Sequence, residues 1–137
     1  MMPCKWLEQA RRDLRAARLL ADNELCGESS FHSQQAAEKA LKALLSALGV
    51  QPPRTHSLEY LMVLIDRKGV STREIREASL LTDYAVEARY PDFGEEPSCD
   101  EARNAILLAQ RVIEWCSTKL KNMGINCSDG EPQEPAI

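Results

Sequence analysis

Two histidines offer the first test for catalysis, because imidazole is the side chain that most readily acts as a general acid or base near neutral pH. His32 follows Gly27 and His56 follows a pair of prolines, so the two stand in different predicted elements. The chain contains no GxSxG, HExxH or glycine-rich phosphate loop, and no paired-carboxylate motif. We therefore predict no catalytic residue and interpret His32 as an ordinary residue of a mostly buried helix.

The amide of Gln34 and the carboxylate of Glu38 are predicted to lie on an otherwise apolar helix face. By helical spacing Gln34 falls between Leu41 and Leu45, and Glu38 lies at the edge of the same face. A buried amide without a partner costs about 1–3 kcal/mol, so Gln34 needs hydrogen bonds. One interpretation is a structural network with a neighbouring helix or a second subunit. The other is a polar pocket that receives a ligand or a partner side chain.

The segment from Pro53 to Leu58 contains two further candidate ligand-binding residues, Arg54 and His56. His56 or Ser57 stands where the N-cap of a short helix is expected. Arg54 and His56 beside the N–H groups of a helix N-terminus could hold an anion. The alternative interpretation of this segment is helix capping alone.

Tyr84, Arg89 and Tyr90 form a third candidate group, near the end of a helix that Pro91 is predicted to stop. The helix dipole alone explains an arginine at a helix C-terminus. The two tyrosines add aromatic faces to a forked donor, which suits a phosphate, a base or a carboxylate. Both interpretations stay open.

Net charge and cysteine usage limit the function classes. The formal net charge of -4 argues against an overall basic footprint for nucleic acid, although the first predicted helix could carry a local basic face. Its arginines are Arg11, Arg12, Arg15 and Arg18. The 5 cysteines are odd in number and no pair has a CxxC spacing, so we expect neither a zinc site nor a disulfide framework. Free thiols would suit a reducing cytoplasm.

No segment has the length and apolarity of a membrane span, and the first residues contain no apolar region of a signal peptide. We therefore predict a cytoplasmic protein that does not associate with a membrane. No motif points to a cofactor or a metal, and we predict neither.

Apolar residues, mostly Ala and Leu, recur at helical spacing through most of the chain. They predict helices over residues 5–23, 31–49, 57–69, 71–89 and 98–122. Capping boxes are predicted at Ser71 with Glu74 and at Ser98 with Glu101, and Gly49 is a predicted helix stop. Only one solvent stripe remains on the second helix, so this helix is expected in the middle of a bundle or in an oligomer interface. That stripe comprises Gln35, Lys39, Lys42 and Ser46.

These segments predict an all-α fold, an up-and-down four-helix bundle with one extra short helix. One domain is predicted over residues 1–122. Residues 123–137 contain few apolar residues and several prolines and acids, which predicts a disordered acidic tail.

The stretch QQAAEKALKAL, from Gln34 to Leu44, resembles the signature of the HEPN family. Two shorter segments, at residues 55–58 and 89–91, fit the same family in order and spacing, as does the opening at residues 6–20. The resemblance covers about residues 5–120. It implies a HEPN-like helical bundle that usually forms a homodimer. Such proteins are often encoded beside a minimal nucleotidyltransferase and form a complex with it, and similarity to aminoglycoside nucleotidyltransferases implies nucleotide binding.

Some HEPN proteins are metal-independent ribonucleases, including toxins, in which roughly four to six residues separate an arginine from a histidine that follows it. This chain departs from that pattern, because a single residue separates Arg54 from His56. Glu95 and Glu96 occupy the corresponding positions after Arg89. The departure favours a protein that is not an enzyme and disfavours RNA as a partner.

The resemblance and the missing pair together imply a non-catalytic protein of a toxin–antitoxin type two-gene system. Its polar cleft, lined by Gln34, Glu38, His56, Tyr84 and Arg89, would bind a nucleotide or a minimal nucleotidyltransferase partner. A metal-independent ribonuclease and a ligand-free dimeric interaction module are the alternatives.

Overall fold

The computed structural model describes residues 2–82 and 97–127, and every regular element in these ranges is helical. The long helices are α1 (Pro3–Asp22), α2 (Cys26–Ala47) and α4 (Cys99–Asn122), with a shorter α3 (Leu58–Arg67) and a 3₁₀ helix (Arg73–Ser79) between α2 and α4. The predicted all-α fold is confirmed. None of the described helices is both long and apolar enough to cross a lipid bilayer.

Helix α2 lies at the centre of the bundle and packs against α1, α3 and α4. Most of its apolar side chains are fully buried, including Leu41, Leu44 and Leu45. The central position explains the sequence of α2, because a helix with neighbours on several sides requires apolar residues on most of its surface.

The flanking helices contribute one apolar stripe each, as their spacing predicts. The stripe of α1 is buried at Leu7, Ala10, Leu14, Ala17 and Ala21. The stripe of α4 is buried at Ala102, Ala105, Ala109, Val112, Cys116 and Leu120. Many of these residues are alanines, and such small side chains allow the helix axes to approach closely.

The predicted helix boundaries hold at the ends that carry specific capping residues. Ser98 accepts a hydrogen bond from the Glu101 backbone N–H at 3.1 Å, and the Glu101 carboxylate accepts one from the Ser98 N–H at 3.0 Å. This arrangement is the predicted capping box. After α2, Gly49 adopts a φ of +83°, a left-handed conformation that glycine tolerates without strain.

Two helix starts differ from the prediction. Helix α2 begins at Cys26 rather than near Phe31, because Glu24 adopts a φ of +62° and turns the chain before Gly27. The capping box predicted at Ser71 and Glu74 was wrong. Thr72 is the N-cap there and bonds to Asp66 instead, and the segment that follows starts as a 3₁₀ helix.

Cysteine pairing is the main correction to the sequence analysis. Cys4 pairs with Cys127, and Cys26 pairs with Cys99, which leaves Cys116 as the free cysteine among the described residues. The expectation of free thiols was wrong because it considered local spacing alone. In this bundle Cys26 and Cys99 open two neighbouring helices, and the chain after α4 returns to the start of α1.

The segment predicted as a disordered tail lies partly within the described residues. Ile125 N–H donates to the Leu120 carbonyl at 2.9 Å, and Ile125 and Cys127 pack against the hydrophobic core. Residues 128–137 lie outside the described ranges.

Candidate functional site

The candidate site is centred on the Glu38 carboxylate, which is 4% exposed near the middle of α2. Its Oε1 lies 3.2 Å from the Gln34 amide nitrogen and 2.9 Å from His56 Nδ1. Its Oε2 accepts a hydrogen bond from Lys42 Nζ at 2.9 Å. Both oxygens of this buried carboxylate are therefore engaged by side chains of the same chain.

Gln34 connects the carboxylate to the loop that precedes α3. The side chain is fully buried, and its Nε2 also donates to the His56 carbonyl at 3.0 Å. Its Oε1 accepts a hydrogen bond from the Gln35 amide at 3.0 Å. The amide thus has the partners that its burial requires, and the structural-network interpretation of Gln34 and Glu38 matches these contacts.

His56 is the exposed member of the network. Its side chain is 65% exposed, whereas the Glu38 side chain that it contacts is 5% exposed. An ionised carboxylate only accepts hydrogen bonds, so Nδ1 is the donor in this contact and Nε2 lies on the other side of the ring. The site therefore presents one oriented imidazole edge to the solvent.

Lys42 is a site residue that sequence reasoning missed. We predicted it in the solvent stripe with Ser46, but the two residues are 7% and 6% exposed. Lys42 Nζ lies 5.6 Å from the centroid of the Trp6 ring, in addition to its bond with Glu38. The spacing of Glu38 and Lys42, four residues apart, was the available signal, because such pairs face each other on a helix.

The segment before α3 is arranged for helix capping. Ser57 is the N-cap of α3 and accepts a hydrogen bond from the Tyr60 N–H at 3.2 Å, while the Leu58 N–H donates to Thr82 Oγ1 at 3.3 Å. These amides are therefore occupied, and an anion at this helix start would depend on side chains. Arg54 lies two residues before His56 and is exposed.

Tyr84, Arg89 and Tyr90 lie outside the described residues. The structure thus brings Gln34, Glu38 and His56 together and leaves Arg54 on the adjoining surface.

A second histidine–carboxylate pair lies between α1 and α2. Asp13 Oδ1 is 3.1 Å from His32 Nδ1, and Asp13 Oδ2 is 2.6 Å from Lys39 Nζ. The His32 side chain is 35% exposed and the Asp13 side chain 14%. The interpretation of His32 as a rim residue of a buried helix agrees with this arrangement, whereas its pairing with Asp13 was not predicted.

In the part of the chain that the structure describes, no group of three or more His, Cys, Asp or Glu side chains could hold a metal ion. The polar cluster around Glu38 instead combines a carboxylate with an ammonium group, an amide and an imidazole. Such a cluster can orient the exposed imidazole for hydrogen bonding or proton transfer.

The fold and the site define a helical-bundle protein with a buried polar network on its central helix. A family model of the HEPN domain matches residues 4–121. The chain therefore belongs to the HEPN family.

Two crystal structures are similar to this chain. TT1696 from Thermus thermophilus has 33% sequence identity and a TM-score of 0.78, and the match covers 88% of this chain and 100% of the other. ST0689, an archaeal HEPN homologue, has 28% identity and a TM-score of 0.70, with 88% and 98% of the two chains covered. A search of curated protein sequences found no significant match.

Proposed function

We propose that this HEPN protein is a non-catalytic binding partner of a minimal nucleotidyltransferase, in a two-gene system of the toxin–antitoxin kind. In this proposal it acts in the cytoplasm as a homodimer. The surface around Arg54 and His56 binds a nucleotide or the partner protein. Tyr84, Arg89 and Tyr90 remain candidates for the same surface.

The exposed imidazole of His56 is the observation that most directly supports this proposal. Glu38 and Gln34 are engaged within the chain, so they orient His56 rather than contact a ligand. Among the described candidate residues, the His56 ring edge and the exposed Arg54 side chain are the groups proposed to face a ligand. A cation two residues from an oriented imidazole suits a phosphate or a carboxylate.

The sequence before the two histidines, which lacks an arginine at the distance of the ribonuclease pattern, supports the non-catalytic part of the proposal. His56 contacts Glu38 and His32 contacts Asp13, so each imidazole is held by a carboxylate. The ribonuclease pattern of the family instead requires an arginine beside the histidine. The sequence supplies no such arginine at the required distance before either ring.

Nucleotide binding is tested by thermal unfolding of the purified protein with ATP, GTP and their diphosphates. A ligand at 100 times its dissociation constant stabilises a protein by about 2.7 kcal/mol. We expect stabilisation of the wild type and its loss in Arg54→Ala and His56→Ala. Arg67→Ala is the matched control, because Arg67 is exposed at the far end of α3. An unchanged melting temperature with every nucleotide would favour the ligand-free dimeric module.

A metal-independent ribonuclease is the second candidate, favoured by the pairing of His56 with Glu38. An exposed imidazole whose Nδ1 is fixed by a buried carboxylate is the arrangement of a general acid or base. Incubation with RNA in EDTA tests this candidate. Cleavage that both His56→Ala and Glu38→Gln abolish would support it, and absence of cleavage by the wild-type protein would exclude it under these conditions.

A further inference from the structure

A groove of about 550 Å³ runs along the surface between α1 and α4, away from the Glu38 network. Arg11 Nη2 lies 3.4 Å from Ser117 Oγ, and Arg18 Nη2 donates to Gln110 Oε1 at 3.0 Å. Higher numbers on α1 meet lower numbers on α4, so the two helices are antiparallel. Leu14 and Ile113 are among the residues that line the groove, and each is 5% exposed.

The residues that line the groove have a positive formal charge in a protein that is acidic overall. Its lining includes four cations and one carboxylate, which are Arg11, Arg15, Arg18, Lys121 and Glu114. The formal charge of the whole chain is -4, so the groove has the opposite sign to the molecule that contains it. A cleft lined by charge of one sign concentrates ligands of the other sign. The groove therefore favours an anion.

The cations are spaced along the groove rather than gathered at one point. Arg11, Arg15 and Arg18 follow one another at four and three residues, so they share one side of α1 over about 10 Å. The lining residues of α4 extend from Gln110 to Lys121, which corresponds to about 16 Å of helix. A nucleic-acid strand or a polyphosphate carries negatively charged phosphates in succession along its length. The row of cations can therefore contact several phosphates in succession.

We propose that this groove binds a chain of successive phosphate groups. Arginine forks match phosphate oxygens, and the hydroxyls of Ser117 and Thr118 add neutral donors on the opposite wall. The described residues that line the groove include no aromatic side chain, so bases would not be stacked there. The ligand is recognised by its phosphates, as in a nucleic-acid backbone or inorganic polyphosphate, and independently of base sequence. This inference does not rest on the function proposed above.

Fluorescence anisotropy with a labelled single-stranded oligonucleotide, competed by inorganic polyphosphate, tests the groove. Each phosphate contact on a single strand contributes about 0.7 to the slope of log affinity against log salt, which corresponds to about 5-fold in affinity at 0.1 M salt. We expect Arg15→Ala and Arg18→Ala to weaken binding by about 5-fold each and by about 25-fold together. Arg12→Ala is the matched control, because Arg12 is an exposed arginine of the same helix that does not line the groove.

The competitors separate the sources of the phosphate chain. If polyphosphate displaces the labelled oligonucleotide, the groove recognises phosphate groups alone. If the oligonucleotide binds and polyphosphate does not displace it, the groove recognises a nucleic-acid backbone. The proposal is overturned if Arg12→Ala weakens binding as much as Arg15→Ala. It is also overturned if polyglutamate of equal charge binds as tightly, because the groove would then accept any acidic polymer, or if the wild-type protein binds neither probe. Circular dichroism of each variant confirms that the helices remain folded.

Discussion

At the scale of single residues, the Glu38 network is a buried group of polar side chains that supports the exposed imidazole of His56. Glu38 and Lys42 form an ion pair whose side chains are 5% and 9% exposed. Removal of one member of a buried pair leaves an uncompensated charge, whereas replacement of both by apolar residues of similar size is often tolerated. The network is therefore expected to couple stability to the orientation of His56.

Glu38→Ala should lower the free energy of unfolding by about 3–5 kcal/mol, because Lys42 loses its buried partner. Urea unfolding followed by circular dichroism measures this loss. The double variant Glu38→Met with Lys42→Met should be clearly more stable than Glu38→Ala. A single variant that unfolds like the wild type would show that the pair is not buried in solution.

The burial of Cys116 predicts that the protein becomes less stable at alkaline pH. Complete burial raises the pKa of the Cys116 thiol well above its ordinary value. Above about pH 8.5 the unfolded chain loses this proton while the folded chain keeps it, so the free energy of unfolding falls by about 1.4 kcal/mol per pH unit. The stabilising contribution of the buried Cys116 thiol is fully present below the pKa that this thiol has in the unfolded chain. It is lost as the pH rises from that value through the pKa in the folded chain.

Urea unfolding of the wild type and Cys116→Val at pH 8 and pH 10 tests this expectation. The wild type should lose more stability between the two pH values than the variant, because valine does not titrate. Equal losses in both proteins would contradict burial of the thiol in the native state.

At the scale of elements, two disulfides are predicted to stabilise the ends of the bundle. The loops that they close have sequence separations of 123 and 73 residues. A chain-entropy estimate gives about 4–5 kcal/mol for a loop of either length. Cys26→Ser with Cys99→Ser should therefore lower the free energy of unfolding by up to about this amount, as measured in urea without reductant.

Thiol counting provides the direct control for this prediction. Unreduced protein in denaturant should react with a thiol reagent at Cys116 alone, whereas the native protein should show no fast reaction. Five reactive thiols in unreduced, denatured protein would contradict the pairing. Disulfides persist in the cytoplasm of some hyperthermophiles. A count of one reactive thiol is therefore compatible with the proposed cytoplasmic location in such a cell.

Local patterns predicted the helices well and predicted long-range pairing poorly. The stripes of α1 and α4 and the Ser98 capping box depend on residues within a few positions of each other, so the sequence reveals them directly. The disulfides depend on which helix ends meet, and the burial of Lys42 depends on Trp6 of a different helix. Such features require the packed arrangement and are not visible in spacing alone.

In the candidate site, too, the sequence predicted the features that depend on neighbouring residues and missed those that depend on the packing of distant segments. The position of Gln34 on an apolar face predicted that it needs partners, and the structure supplies Glu38 and the His56 carbonyl. The identity of the partners depends on the path of the chain after Gly49, which brings residue 56 back to α2. Tyr84, Arg89 and Tyr90 lie outside the described residues, so their part in the site stays a prediction.

At the scale of the whole molecule, the HEPN bundle carries two distinct surfaces with proposed roles. One surface surrounds His56 and is proposed to bind a nucleotide or partner protein. The other is the groove between α1 and α4, which is proposed to bind phosphate chains. Because the two surfaces use different residues, Arg54→Ala and Arg15→Ala should affect different ligands, which allows either proposal to fail alone.

Co-expression with a minimal nucleotidyltransferase encoded beside this gene tests the central claim most directly. We expect a tag on the nucleotidyltransferase to retain this protein in fixed stoichiometry, and the two proteins to co-elute in size-exclusion chromatography. Arg54→Ala or His56→Ala should weaken the complex, while Arg67→Ala should not. Absence of such a neighbouring gene, or separate elution of the two folded proteins, would contradict the proposed partnership.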